Sequence, residues 1–355
     1  MLNVLFLVTL FALGSSCIYL WLRASHNQKA GQELLEKRPH EFPFGFLDVI
    51  VMFIFWCMGQ LLAVTVAVSV LEIEAEKLTE ASGSSLALLT IAMGLGQLVA
   101  TAGAMCYLYS RYRSLSIFGW QPEYLRRDIV IGGVGFLMIV PIVLMVQTAL
   151  TQFIDYEHAT QQMLVNNTDM LTIFASWFSA VLIAPLCEEI FFRGILQGFL
   201  QRFIPTSRST GDQKLFGGWV GENKTSFFDP KQEKTEWSDG HSVSKPEPTP
   251  IAHYWPVLAS ALLFGLAHAG QGPAPIPLFL FGLALGYIFY RTGSIVACIV
   301  VHMLLNSFSM FWFTLGVLFP SPEPAADAAK EVVSSVEFGP MADYLLYIVH
   351  TFINC

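Results

Sequence analysis

Apolar runs of about twenty residues recur along the chain, parted by charged or Pro/Gly-bearing breaks. They predict helices at 3–22, 47–71, 86–109, 129–151, 170–199, 255–269, 275–291 and 294–318. Runs of that length suit a hydrocarbon core of about 30 Å at about 1.5 Å per helical residue. The expected fold class is all-α: a polytopic transmembrane helical bundle of about eight spans. The first run lacks a basic start, exceeds a signal-peptide h-region in length, and its positive charges follow it, so it reads as a retained span. Two segments depart from the pattern. Residues 203–254 are polar and rich in Gly, Ser, Lys and Glu, which suits a solvated cytoplasmic insertion. Residues 341–353 are apolar but too short to cross, which favours an interfacial or docked helix. The chain then divides into N-terminal spans (1–128), a core (129–318) interrupted by the insertion, and a tail (319–355).

Composition agrees: 54% of residues are hydrophobic and 13% charged, too few charges for a water-soluble chain of 355 residues. The basic residues fix the orientation. Sixteen of nineteen Lys and Arg follow spans one, three, five and seven, among them Arg38, Arg111, Arg127, Arg202 and Arg291. Positive loops stay in the cytoplasm, so both termini are predicted outside, in the cell (plasma) membrane. The opposite loops are acidic, with Glu72, Glu74, Glu76 and Glu80 in one and Asp155, Glu157 and Asp169 in another. A formal charge of -8 without basic clusters offers nucleic acid no surface. Five cysteines (Cys17, Cys57, Cys106, Cys187 and Cys298) lie in apolar runs, Cys355 ends the chain, and no CxxC occurs, so they read as small buried apolar residues.

Ionisable groups within a bilayer are costly and demand a reason. Spans two, three and four carry the isolated amides Gln60, Gln97 and Gln147, read as interhelical hydrogen bonds. Gly282 and Gly286 in span seven read as a close packing face within the bundle. Spans five, six and eight hold more: Glu188, Glu189 and Arg193; His268; His302 and Asn306. Helical spacing puts Glu189 and Arg193 one turn apart, able to pair, and turns Glu188 about 100° away. His302 and Asn306 likewise share a face. Counted from the span ends, all these residues fall at similar depths, mildly toward the basic side.

That set suits hydrolysis. A carboxylate among apolar groups can activate water, which assigns Glu188 as base. His302 and Asn306 are candidate oxyanion donors, and His268 a candidate for orienting water or taking its proton. Alternatively Glu188, His268 and His302 could ligate zinc or another divalent ion, although no HExxH is present. Cys298, one turn before His302, could form a Cys–His pair. Competing classes are a non-catalytic scaffold or immunity protein, and a proton-coupled transporter whose relay would use the same groups. The partners expected are the lipid bilayer and a membrane-associated peptide or protein substrate. Pro185 is expected to loosen span five just before the acids.

Glu188-Glu189-x-x-x-Arg193, Phe264-x-x-x-His268 and His302-x-x-x-Asn306, in this order, resemble the three motifs of the CPBP intramembrane proteases. That family includes the type II CAAX prenyl endopeptidases and abortive-infection-like proteins. The resemblance covers residues 170–318 and implies an intramembrane endopeptidase in which Glu188 activates water, His268 acts with it, and His302 and Asn306 hold the water or oxyanion. Glu189 and Arg193 would support substrate binding or site geometry. Members have been called metalloproteases, while other readings give the acid no obligatory metal. The insertion at 203–254 is a departure between the first two motifs.

Overall fold

The computed structural model describes residues 2–30, 33–38, 40, 42–72, 83–114, 116–154, 169–203, 250–269 and 271–319. Nearly all of the predicted insertion, the apolar segment at 341–353, Cys355, and residues 73–82 and 155–168 of the two acidic loops lie outside these residues. Eight helices follow in order: α1 (Leu2–Lys29), α2 (Phe46–Leu71), α3 (Gly83–Tyr112), α4 (Leu125–Thr151), α5 (Met170–Gln201), α6 (Pro250–Leu266), α7 (Pro275–Thr292) and α8 (Ile295–Leu318). No strand occurs among the described residues. Seven of the eight are long and apolar enough to cross a membrane; α6, 17 residues and about 25 Å, is the short one. The sequence extended this helix to residue 269, but it stops at Leu266 and leaves His268 in a turn.

Small residues set the close crossings. On α4, a Cβ at Gly132 would lie 2.6 Å from Val300 of α8, and one at Gly135 would lie 3.1 Å from Val301. Between α2 and α3, a Cβ on Gly59 would strike Ala100 and one on Gly96 would strike Ala63, so the two backbones nearly touch. Helix α1 lies outside this core and leans on α4, where Trp21 Nε1 donates to the Met138 carbonyl at 3.0 Å. Of the cysteines, Cys17, Cys187 and Cys298 are buried as expected, whereas Cys57 and Cys106 face outward from the bundle.

Helices α7 and α8 are joined by only Gly293 and Ser294. Gly293 adopts φ 61°, the left-handed conformation that ends α7, and Ser294 caps α8 by accepting from the Ala297 N–H. A Cβ at Gly293 would also lie 2.6 Å from the His40 ring, so the position requires glycine twice. His40 belongs to a strap, described at residues 33–38, 40 and 42–45, that runs beneath the basic end of the bundle. Burial pushes its imidazole below the usual histidine range, and the Arg38 carbonyl opposes that shift by accepting from Nδ1 at 2.8 Å. Phe44 of the strap is fully buried, and Phe42 stacks on Phe289 at 5.1 Å. Arg38 is buried too: it pairs with Asp128 at 2.7 Å, and Asp128 in turn accepts from Ser294 Oγ at 2.6 Å.

Candidate active site

Helix α5 carries the acids, and its backbone is irregular on both sides of them. Asp169 caps its start, accepting from the Thr172 N–H at 3.0 Å. Residues Phe178–Ile183 form a π segment, Ala184–Glu189 an α segment, and Ile190–Gln197 a second π segment. The first widening has a local cause. The Ala184 N–H bonds the Ser179 carbonyl, and Pro185 has no N–H to offer, so the Ala180 carbonyl loses both candidate donors within its own helix. Asn306 of α8 supplies one, with Nδ2 2.7 Å from that oxygen. Because a carbonyl can only accept, this contact fixes the orientation of the amide and leaves Asn306 one further N–H.

The paired asparagine and proline give a prediction. Asn306→Ala is expected to cost about 1 to 2 kcal/mol by stranding a carbonyl at membrane depth. Pro185→Ala returns a backbone donor, so the double variant should lose less than the two single variants together. A double-mutant cycle of thermal stability in detergent checks this, and strict additivity would rule out the substitution of one donor for the other.

The second π segment buries Arg193 and Gln197 completely. Arg193 Nε lies 3.2 Å from Glu189 Oε2, the guanidinium sits 4.5 Å over the Phe264 ring, and Nη2 reaches the Gly282 carbonyl at 3.4 Å. Gln197 Nε2 donates to the Gly286 carbonyl at 2.8 Å. The Gly282/Gly286 face thus packs α7 inside the bundle, and its bare backbone also receives two α5 side chains. Gln197 does the interhelical bonding that the sequence reading gave to Gln60 and Gln97, which instead line a groove.

The two acids part as their spacing requires. Glu189 is fully buried and holds two partners, Arg193 and His302, whose Nδ1 donates to Glu189 Oε1 at 2.8 Å. The bond to His302 links α5 to α8 and is not visible in residue spacing. Glu188 stays outside this pair, with its side chain 16% exposed and Oε2 3.9 Å from His302 Nε2. That gap is too long for a direct hydrogen bond and close enough for one water to touch both atoms.

His268 lies one turn beyond the end of α6, with Nδ1 2.9 Å from the Phe264 carbonyl. The Phe264 ring lies 5.2 Å from the His268 ring and 5.9 Å from the His302 ring, and so sits against both imidazoles. Among the described residues no hydrogen bond or ion pair joins His268 to Glu188, His302 or Asn306. In both histidines Nδ1 faces an oxygen acceptor and must carry the proton, so each neutral ring presents Nε2 as a lone pair.

Among the described residues no three His, Cys, Asp or Glu side chains gather closely enough to hold a metal ion, and no step below is routed through one. One expectation is corrected. Cys298 is fully buried, and its Sγ faces the carbonyls of Leu285 at 3.4 Å and Ser294 at 3.6 Å, which disposes of a Cys–His nucleophile.

Residues 170–227 and 241–308 match the family model described as Type II CAAX prenyl endopeptidase Rce1-like, and the matched stretches contain all six polar site residues. None of the curated proteins and none of the solved structures compared with the chain matches it.

Proposed function

We propose, since this chain belongs through residues 170–308 to the CPBP family of intramembrane proteases, that it hydrolyses a peptide bond of a membrane-associated substrate with a water activated by Glu188. Opposition of Glu188 Oε2 and His302 Nε2 across 3.9 Å carries this reading. Both atoms are acceptors, and a water has two hydrogens to give them.

Water between the two directs its oxygen at the scissile carbonyl. As the C–O bond forms, Glu188 takes the proton of the breaking O–H bond. The remaining N–H of Asn306 is the donor for the oxyanion, and His302 Nε2 accepts from the hydrogen that stays on the attacking oxygen. Glu189, held by Arg193, accepts from the Nδ1–H and so keeps Nε2 of His302 as the acceptor. Glu188 then passes its proton to the departing nitrogen as the C–N bond breaks. His268, whose ring rests against Phe264 beside His302, holds the next water on the α6 side before it enters. The end of the bundle bearing Arg38, Arg202 and Arg291 faces the cytoplasm in this proposal, and residues 203–254 are a cytoplasmic insertion.

The reading is tested with the purified full chain in lipid nanodiscs, fluorescently labelled casein as an unfolded probe, and water enriched in oxygen-18. Each new C-terminal carboxyl should carry one heavy oxygen. Intact casein would overturn the peptidase, and a first-turnover product without label would put an enzyme carboxylate, not water, in the attack.

A further inference from the structure

A groove of about 250 Å³, more apolar than polar in surface, lies between α2, α3 and α5, with Gln60, Thr90, Gln97, Ser176 and Ser179 set among Met93 and small residues such as Ala184. The sequence explains its position. Gly59 and Gly96 bring α2 and α3 together, and the residues that follow them, Gln60 and Gln97, emerge at one level toward α5. Gly94 presses α3 against Ser179 and closes one flank. Ala184 is one helical turn before Glu188 on the same α segment, and helical side chains lean toward the N-terminus of their helix. Glu188 thus stands one turn beyond the groove wall, with its carboxylate facing His302 of α8.

The groove walls carry amides and hydroxyls and no charged side chain. Gln60 Oε1 is buried without a hydrogen-bond partner, at a depth where lipid offers none. A peptide drawn out of helical form in a bilayer has the matching need, with one donor and one acceptor per residue. Most of the lining residues are half-buried rather than sealed, as a site that admits a chain requires.

We propose that this groove binds the extended backbone of the substrate beside the scissile bond, with Gln60 and Gln97 as its binding residues. The inference rests on the peptidase reading and deepens it. It places the substrate on the side of Glu188 toward Met170, away from the basic loops, and so favours a membrane-inserted polypeptide over a tail presented only at the basic face.

The test uses the full chain in nanodiscs with Glu188→Gln as a non-cleaving background, and polarisation of labelled casein as the binding signal. Gln60→Met with Gln97→Met should weaken binding about tenfold or more. The melting temperature should stay level or rise, since methionine keeps the volume and removes an unpartnered oxygen. Unchanged affinity overturns the proposal; if turnover then falls in the Glu188-containing chain with KM constant, the groove conducts water instead. Each single Met variant should weaken binding several-fold and decides the matter should the double variant melt early. Amide-dependent binding by a chain that cleaves nothing would sustain the groove and sink the peptidase. Cleavage indifferent to both amides would do the reverse.

Discussion

Glu188→Gln is expected to lower the rate of casein cleavage by about 10²- to 10⁴-fold, the range for loss of a general base, while leaving the melting temperature unchanged. The separation of the two effects follows from position. Glu188 is outside the buried Glu189–Arg193–His302 network, its side chain is partly exposed, and among the described residues its carboxylate makes no direct hydrogen bond that an amide would break. Glutamine keeps its shape and cannot take a proton. Glu189→Gln differs: it weakens both the ion pair and the bond to His302, so activity and stability should fall together. Initial rates and thermal melts of the two variants in the same detergent check the contrast. Wild-type turnover by folded Glu188→Gln would remove this residue from the chemistry.

Arg193→Met is expected to destabilise the chain by about 3 to 5 kcal/mol, the cost of stripping one partner from a buried ion pair. Both members are completely buried, and the guanidinium also rests over Phe264 and reaches the backbone of α7. Without it, the Glu189 charge is left with His302 alone. A second change, Glu189→Leu, removes that stranded charge, and the double variant should recover much of the loss although it stays inactive. Denaturant titration in mixed micelles measures the series. An Arg193→Met chain as stable as wild type would mean that the pair carries no structural weight.

The helices were legible because apolar run length and charged breaks report directly on membrane crossing. All eight appear near their expected bounds, and over the described residues α6 alone falls short of a span. Helical spacing also sorted Glu188 from Glu189, since a rotation of about 100° per residue is local geometry. What spacing could not carry was partnership between helices. The bond from His302 to Glu189, the debt of the Ala180 carbonyl to Asn306, and the hold of Arg193 and Gln197 on the Gly282/Gly286 backbone all depend on which faces meet. Pro185 hinted at the second of these, because a missing N–H in mid-helix must be made good by something. Gln60 and Gln97 misled because an intramembrane amide looks the same in sequence whether it bonds a neighbouring helix or lines a groove. Arg38 read as a loop charge and is buried against Asp128, because the strap carrying it turns inward.

That strap has a bearing on how much chain is needed to make a working enzyme. The family match begins at residue 170 and contains every proposed catalytic group, which invites the idea of a minimal fragment. Yet the lower ends of α5, α7 and α8 close around residues emitted far earlier from the ribosome: Phe42 fills the space beside Gly198, and Arg202 donates to the Pro43 carbonyl at 3.1 Å. Arg291 likewise pairs with Glu33, and Asp128 with Arg38. A truncation that spared the motifs but dropped the strap would strand these charges and uncover aromatic surface, so the smallest self-assembling unit starts near residue 33, well upstream of the recognisable motifs.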